Sequence, residues 1–314
     1  MEDEYFLLGL PNNSLLFNLF NLSTNSFNYP FTKQHFILYK QVTSQYYDPD
    51  VLHYVKLLVP EKIKKEIQIQ LKTDISENVD HNSYSNCRST CHNFSDIGDR
   101  KDDIRNVKDN SSSSSSSISL STSFLNSLKE LMIWFKKDFM RWVSKNPLCD
   151  NCGHHLTLEY IPGNTWELRG IENYYCSFCK AVFSFPRYGK IKDIADNRMG
   201  RCSEWTFLFG AILNSLFINT RIVHDFLDHC WNESFIGGRW VHIDSTLAYP
   251  ISFNHSSYYE KNWNKEYIFV LAFSNSKLED VTASYTMKWD QVLNRRSKLK
   301  HTHLDMFRKF YQKI

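Results

Sequence analysis

Three residues in the second half of the chain have the types needed for a thiol nucleophile with its base and an orienting acid. Cys202 opens an apolar segment, and His229 and Asp244 follow within segments that alternate between polar and apolar residues. A thiolate attacks carbonyl carbon, an imidazole transfers protons, and a buried carboxylate fixes the imidazole tautomer. We therefore predict Cys202, His229 and Asp244 as the catalytic residues of an enzyme that cleaves or transfers amides.

The segment after Cys202 predicts a helix from about 202 to 217. Cys202 then lies in the first turn, where unpaired backbone N–H groups and the helix dipole favour a thiolate. A lone cysteine is more often a buried structural residue, so the prediction depends on the other two residues. The apolar face of the helix recurs at steps of three and four residues and comprises Trp205, Leu208, Phe209, Ile212, Leu213, Leu216 and Phe217.

Three strands are predicted next, over 221–226, 229–235 and 239–244, with Gly237-Gly238 as a two-residue turn between the last two. Such a turn places Trp231 opposite Asp244. His229 is then the diagonal neighbour of Asp244, at roughly 7–8 Å, which an Asp–imidazole hydrogen bond can span.

The same register leaves a second candidate for the base. His242 shares the face of His229, with Glu233 opposite it as a partner. We favour His229, because an imidazole oriented by a buried Asp has a fixed tautomer and a stabilised cationic form. His224 is expected to be a packing residue, and Cys230 is expected to point away from His229 into the core.

Two Cys-x-x-Cys pairs, separated by 23 residues, form a second pattern: Cys149, Cys152, Cys176 and Cys179. Two such pairs have the spacing of a tetrahedral thiolate site, which predicts structural Zn²⁺. Two disulfides or a redox dithiol are the alternatives, and no apparent secretion signal supports them. His154 and His155 are further ligand candidates. Four thiolates leave no open position for water, so this metal stabilises the fold.

Composition limits the function classes. The 314 residues are 42% hydrophobic with a net charge of +3, which suits one globular catalytic core and disfavours a general nucleic-acid binder. We expect no membrane span, because the longest apolar stretch, 207–217, is far too short.

The predicted organisation has five parts. An N-terminal arm covers 1–33, leading helices of the core cover 34–71, and a Ser- and Asn-rich insertion predicted to be disordered covers 72–123. A catalytic core follows over 124–287, with the zinc lobe at about 145–185, and a basic helix over 288–314 ends the chain.

The chain resembles the cytoplasmic peptide:N-glycanases, which remove N-linked glycans from misfolded glycoproteins. The similarity covers about 124 to 285, with a weaker likeness over about 34 to 71. The motifs that carry it are Trp134 to Trp142, the two cysteine pairs, Phe185 to Tyr188, Gly200 to Trp205, Asp228 to Trp231, Trp240 to Asp244, Trp263 to Lys265, Ala272-Phe273 and Asp280-Val281.

The resemblance implies an α+β fold with a transglutaminase-like, papain-like cysteine hydrolase core and an inserted four-cysteine zinc lobe. It implies hydrolysis of the amide between an N-glycan and the asparagine side chain, giving aspartate and a glycosylamine. It also implies that Trp231, Glu233, Arg221 and Trp142 bind substrate.

For the cell, the resemblance implies unfolded N-glycosylated proteins as substrates, within glycoprotein quality control and ER-associated degradation. The expected location is the cytoplasm, with the nucleus as an alternative. A proteasome-shuttling ubiquitin receptor is the implied partner, although no docking sequence of that kind occurs in the chain.

Two positions depart from the family pattern. Ser203 replaces the usual Gly after the nucleophile, and Ser245, Thr246 and Leu247 follow Asp244 where the family has a Cys-Glu pair. The second change puts a substrate contact of that Glu in doubt. A protein transglutaminase or a thiol protease on the same triad is the alternative function, and a non-catalytic scaffold is a third.

Overall fold

The computed structural model describes residues 33–79, 122–298 and 304–314. Nearly all of the predicted N-terminal arm and most of the predicted disordered insertion therefore lie outside the described residues.

Four helices form the N-terminal layer: α1 (Lys33–Gln45), α2 (Pro49–Leu58), α3 (Glu61–Val79) and α4 (Thr122–Trp134). Asp48 starts α2 by accepting the N–H groups of Asp50 and Val51, with Pro49 at the first helical position. The leading helices predicted over 34–71 are α1 to α3, and Pro60 separates α2 from α3, because proline disfavours the helical conformation of the residue before it. α4 ends in a π-helical turn, Phe135–Phe139. The motif Trp134 to Trp142 is therefore helical only as far as Phe139, and Arg141–Trp142 form strand β1.

Helix α6 (Cys202–Ser215) crosses the centre of the molecule. The sequence predicted one apolar face, but every residue from Ser203 to Leu213 is buried. The helix is enclosed because it packs on strands on one side and on α2 and α5 (Ile191–Asn197) on the other. Phe217, which was predicted to extend the apolar face, lies beyond the helix end and is 77% exposed.

The main sheet is antiparallel and carries the predicted hairpin. Its strands are β6 (Thr220–His224), β7 (Cys230–Ile236), β8 (Arg239–Ile243), β9 (Leu271–Phe273) and β10 (Leu278–Asp280), in the order β10-β9-β6-β7-β8. Gly237 and Gly238 both have positive φ, as a type I′ turn requires. The predicted register is confirmed, since Glu233 pairs with His242. Asp244 follows the last ladder pair, Asn232 with Ile243.

A smaller sheet carries the cysteine pairs. Its strands are β2 (Thr157–Pro162), β3 (Leu168–Tyr175) and β4 (Val182–Tyr188), all antiparallel. β1 pairs in parallel with β5 (Met199–Gly200), which runs directly into α6. β5, the strand before Cys202, is thereby paired with β1, the strand that leads into the cysteine lobe.

The C-terminal part of the chain contains α7 (Tyr258–Asn262), a 3₁₀ turn (Thr282–Ser284), α8 (Trp289–Ser297) and α9 (Leu304–Lys313). The single basic helix predicted over 288–314 is therefore divided into two helices. No helix among the described residues is both long and apolar enough to cross a membrane.

A buried ionic cluster joins the smaller sheet to the start of α6. Glu172 of β3 accepts from Arg201 at 2.6–2.7 Å and from Arg187 of β4 at 2.9 Å. Glu204 accepts from Arg187 at 2.9 Å and also from Arg169. Although burial alone raises its pKa, the Arg187 and Arg169 charges lower the pKa of Glu204 to about 2, so it stays ionised. The cluster fixes the orientation of α6 relative to the cysteine lobe.

Glu172→Gln should lower the free energy of unfolding by about 3 kcal/mol, because it leaves the buried Arg201 guanidinium without its anion and Arg187 with Glu204 alone. Urea unfolding followed by circular dichroism measures this loss. Glu159→Gln is the matched control: Glu159 is exposed on β2 and accepts the Tyr175 hydroxyl at 2.9 Å. Its effect should stay within about 0.5 kcal/mol. Equal stabilities for the two variants would contradict the role of the cluster.

Candidate active site

Cys202 is the first residue of α6, as the sequence predicted. The side chain of Glu204 accepts the backbone N–H of Arg201 at 3.1 Å, which fixes the turn that presents the cysteine. The thiol is partly exposed, and its Sγ lies 3.8 Å from the carbonyl oxygen of Asp228. The nucleophile candidate is therefore accessible from solvent at the N-terminal end of a buried helix.

The loop before β7 positions His229. Asp225 is buried, and its Oδ1 accepts the N–H groups of Leu227, Asp228 and His229 at 2.9–3.2 Å. Its second oxygen pairs with Lys265 Nζ at 2.9 Å. One buried carboxylate thus organises the backbone that carries both the imidazole and the carbonyl group beside the thiol.

Asp244 holds the far side of the imidazole. Its Oδ2 lies 2.7 Å from His229 Nε2, and its Oδ1 accepts the N–H and hydroxyl of Thr246 at 2.8 and 2.7 Å. The carboxylate is fully buried, yet the nearby His229 keeps its pKa far below the usual range. Since Nε2 faces Asp244, Nδ1 is the ring nitrogen left for the thiol.

Cys202 and His229 shift each other's pKa in the directions that favour a thiolate and an imidazolium. A hydrogen bond from Cys230 lowers the pKa of the Cys202 thiol most, burial opposes this, and His229 lowers it further. Burial alone lowers the pKa of His229, but Asp244 and Cys202 together raise it to about 10. A thiolate beside an imidazolium is the reactive form of a cysteine nucleophile.

Cys230 differs from its prediction. It is buried, as expected, but its thiol contacts Cys202 instead of pointing away from the site. The reason is that α6 packs on the inner face of β7, where the Thr206 hydroxyl donates to the Cys230 carbonyl at 3.0 Å. The core side of this strand is therefore also the side on which α6 begins.

His242, the alternative base, lies behind Asp244. Its Nε2 is 2.6 Å from the Tyr259 hydroxyl, and its Nδ1 accepts the His255 N–H at 3.3 Å. Burial lowers its pKa to about 4, so it is neutral at pH 7. Its predicted partner Glu233 is bound to Arg221 and Tyr285 instead. His224 packs among aromatic rings, as predicted, and its Nδ1 lies 2.7 Å from the Tyr39 hydroxyl.

The four predicted substrate-binding residues divide into two groups. Trp142 is half-exposed, and its ring lies 6.0 Å from that of Trp205. Arg221, Trp231 and Glu233 are buried. This differs from the predicted cleft lining, because the Arg221–Glu233 ion pair and the stacking of Trp231 on Tyr259 hold the sheet and α7 together.

Three residues near the site received no role from sequence reasoning. Trp263 is 40% exposed, and its ring lies 5.1 Å from that of His229. Tyr259 donates to Asp244 at 2.8 Å, and Lys265 neutralises Asp225. Trp263 and Lys265 occur in one of the motifs that carry the family resemblance, and this motif could have marked them as site residues. No residue pattern marked Tyr259.

The cysteine pairs converge as predicted. The four Sγ atoms of Cys149, Cys152, Cys176 and Cys179 lie within 4.8 Å of one another, with two separations of 3.4 Å. These separations are too long for disulfides and suit a tetrahedron with metal–sulfur distances of about 2.3 Å.

Each cysteine pair forms the same turn. Gly153 N–H donates to the Cys149 carbonyl at 2.8 Å, and Lys180 N–H donates to the Cys176 carbonyl at 3.0 Å, both residues with positive φ. His154 stacks on Phe178 outside the cluster, and its Nδ1 bonds the Cys152 carbonyl oxygen. The repeated turn is what aims two thiols at one point.

Comparison with known proteins identifies the core. Residues 161–245 match the transglutaminase-like superfamily. The chain contains a transglutaminase-like core. The match extends from the smaller sheet to the residue after Asp244, so this core includes all three predicted catalytic residues. The predicted α+β fold with a transglutaminase-like core is thereby confirmed.

The resemblance to peptide:N-glycanases is also confirmed. Relatives named peptide-N(4)-(N-acetyl-beta-glucosaminyl)asparagine amidase are similar to the chain. One from Mus musculus is 35% identical over 55% of this chain and 27% of its own length. One from Arabidopsis thaliana is 37% identical over 54% and 24%, and one from Yarrowia lipolytica is 32% identical over 54% and 49%. The chain thus spans about a quarter to a half of the curated relatives that it matches.

Cys230→Ala should raise the pKa of the Cys202 thiol, because the alanine removes a hydrogen bond to the thiolate. Alkylation of the Cys202 peptide by iodoacetamide, followed by mass spectrometry between pH 4 and 9, should then slow several-fold at the acidic end. The rate at high pH should change little. Cys230→Ser is the matched control, because its hydroxyl can still donate. Superimposable profiles for the wild type and Cys230→Ala would contradict the proposed contact.

Proposed function

We propose that the protein hydrolyses the amide bond between an N-glycan and the asparagine side chain of glycoproteins. The observation that carries the proposal is the Cys202–His229–Asp244 arrangement, in which a thiol at a helix start faces an imidazole bonded to a buried carboxylate at 2.7 Å. The similarity to asparagine amidases over about half of the chain supports this substrate. The reaction would be a peptide:N-glycanase reaction.

In the first half of the reaction, the Cys202 thiolate attacks the side-chain carbonyl carbon. A tetrahedral adduct forms and collapses as the carbon–nitrogen bond breaks. The His229 imidazolium gives its proton to the departing nitrogen, which leaves as a glycosylamine, and a thioester remains on Cys202.

Water completes the cycle. Neutral His229 takes a proton from water as the oxygen attacks the thioester, and the sulfur leaves as thiolate. The products are an aspartate in the peptide and the original thiolate–imidazolium pair. Asp244 keeps Nε2 protonated throughout, because the carboxylate stays ionised in its buried position.

The adduct oxygen requires hydrogen-bond donors. The backbone N–H of Cys202 belongs to the first turn of α6, where N–H groups have no partner within the helix. We propose this N–H as one donor. Trp142 and Trp263 are partly exposed, their rings lie 6.0 Å from Trp205 and 5.1 Å from His229, and their faces suit sugar rings.

The four-cysteine cluster is proposed to hold structural Zn²⁺. Its ligands would be Cys149, Cys152, Cys176 and Cys179, and the fit of their sulfur separations supports this metal. Four thiolates close the coordination sphere, so the ion would hold the two turns together and take no part in hydrolysis. The ionic cluster at Glu172 connects the cysteine lobe to the start of α6, so the ion would also help to hold α6 in place.

The cellular setting follows the activity and is likewise proposed. The substrates would be misfolded N-glycosylated proteins in the cytoplasm, with a proteasome-shuttling ubiquitin receptor as partner. Unfolding would be needed because the asparagine side chain must reach a thiol that is only partly exposed.

Cys202→Ala should abolish glycan release from a denatured N-glycoprotein, because it removes the thiol that is proposed to form the thioester. Release is measured as the mass shift of the protein and the Asn-to-Asp conversion of the peptide. His229→Ala should give the same loss, and the matched control His53→Ala, at an exposed position of α2, should not. Unchanged circular dichroism shows that each variant is folded.

The same assay separates the alternative functions. Incorporation of an amine donor without glycan loss would indicate a transglutaminase, and backbone cleavage of an unglycosylated substrate would indicate a thiol protease. Glycan release by Cys202→Ala at the wild-type rate would refute the proposal.

Cys149→Ser and Cys176→Ser should each reduce bound zinc from about one ion per chain, because each removes a thiolate ligand. Elemental analysis of the purified protein measures the metal. A strong chelator should lower the unfolding temperature of the wild type, since metal binding contributes to folding. Cys202→Ala is the control and should retain its zinc. A wild-type protein without metal and insensitive to chelator would exclude the assignment.

A further inference from the structure

A buried tyrosine contacts the acid of the predicted triad next to His229, whose ring lies 5.4 Å from its own. Tyr259 of α7 is fully buried between Trp231, whose ring it stacks on at 4.6 Å, and the end of β8. Its hydroxyl lies 2.8 Å from Asp244 Oδ2 and 2.6 Å from His242 Nε2. Oδ2 is the oxygen that also bonds His229. The tyrosine and the imidazole therefore share one carboxylate oxygen.

Proton counting fixes the direction of these bonds. Asp244 is ionised and can only accept, so the single hydroxyl proton of Tyr259 must go to Oδ2. The Tyr259 oxygen then accepts from His242 Nε2–H. The other ring nitrogen of His242, Nδ1, accepts the backbone N–H of His255 at 3.3 Å. This series of hydrogen bonds runs from the His255 N–H through His242 and Tyr259 to Asp244. Its direction cannot reverse without leaving a buried donor unpaired.

We propose that Tyr259 is a positioning residue that sets the acidity of His229 through Asp244. Each hydrogen bond that a carboxylate accepts disperses its charge and weakens its hold on other protons. The Tyr259 hydroxyl thus keeps Asp244 from binding the imidazolium proton too strongly. His229 consequently remains a good enough acid to protonate a leaving nitrogen. The effect on catalysis rests on the proposed function, whereas the effect of Tyr259 on the pKa of His229 does not.

Other charged and titratable groups also act on this pair, and they come from every element packed against it. They are Cys202 of α6, His224 of β6, Asp225 of the following loop, His242 of β8 and Lys136 of the π turn. Lys136 donates to the Thr246 carbonyl at 2.6 Å, beside the other oxygen of Asp244. Tyr259 differs from all of these because, among the described residues, it shares Oδ2 with His229.

Tyr259→Phe tests the inference with the full chain. Without the hydroxyl, Asp244 attracts the imidazolium proton more strongly, so the pKa of His229 should rise. The basic limb of the pH profile of kcat/KM should move up by about half a pH unit or more. Because a weaker acid protonates the leaving nitrogen more slowly, kcat should fall about three- to tenfold, with little change in KM.

The matched control is Tyr267→Phe. Tyr267 is fully buried in the same aromatic cluster, and its hydroxyl has no hydrogen-bond partner among the described residues. Removing it should leave both kcat and the basic limb unchanged. A purely structural role for Tyr259 would lower the unfolding temperature and leave the basic limb in place or shift it down, and this result would overturn the proposal.

Alkylation of Cys202 separates this inference from the proposed function. Iodoacetamide needs no glycoprotein, and its rate as a function of pH reports the thiolate–imidazolium pair directly. An upward shift of the alkaline inflection of this profile in Tyr259→Phe, where the His229 imidazolium loses its proton, supports the inference even when the wild type releases no glycan. No shift in alkylation refutes the inference even when glycan release is robust.

A second pair of variants covers the case in which Tyr259→Phe does not fold. His242→Gln keeps an amide N–H near the Tyr259 oxygen and should behave like the wild type within about twofold. His242→Leu removes this donor, which weakens the polarisation of the Tyr259 hydroxyl and should shift the basic limb up by a smaller amount. Identical pH profiles for His242→Leu and His242→Gln would contradict the directional chain.

Discussion

Buried charges in this protein must be compensated, and that constraint determines where its reactive groups lie. A carboxylate removed from water without partners costs several kcal/mol, so each buried acid is surrounded by donors. Glu172 and Glu204 are neutralised by two arginines of the small sheet and by Arg201 at the start of α6, Asp225 by Lys265 and three backbone N–H groups, and Asp244 by His229. Each of these arrangements fixes a piece of backbone next to Cys202. The geometry of the site is therefore a consequence of pairing each buried carboxylate with cations or hydrogen-bond donors.

The cysteines of the described residues have two different roles that follow from their surroundings. Four converge at the tip of the small sheet, where paired turns aim their sulfurs at a common centre. Cys202 instead lies at a helix start, beside an imidazole and a second thiol that favour its thiolate form. The same side chain is thus proposed to bind a structural metal in one place and to act as the nucleophile in the other. The ionic cluster around Glu172 connects the two places.

Local patterns predicted much of this arrangement. The Gly237-Gly238 turn determines the β7–β8 register, because two adjacent residues with positive φ permit one pairing of the strands. The helix start at Cys202 and the two cysteine pairs were equally predictable from the sequence. Local patterns failed where packing from distant segments decides. They did not show that α6 is enclosed on all sides, that Phe217 is exposed, or that Cys230 contacts Cys202.

The sequence by itself determined the residue types of the site, the order in which they occur, the pairing of the central hairpin and the metal-ligand spacing. These depend on turn chemistry and on periodicity, which act over a few residues. Only the tertiary structure decided between His229 and His242 as the residue that faces the thiol, and only it placed Tyr259 behind Asp244. Those choices depend on α7 packing against the end of β8 and on α6 crossing β7. Contacts between segments so distant in the chain leave no periodic trace in the sequence.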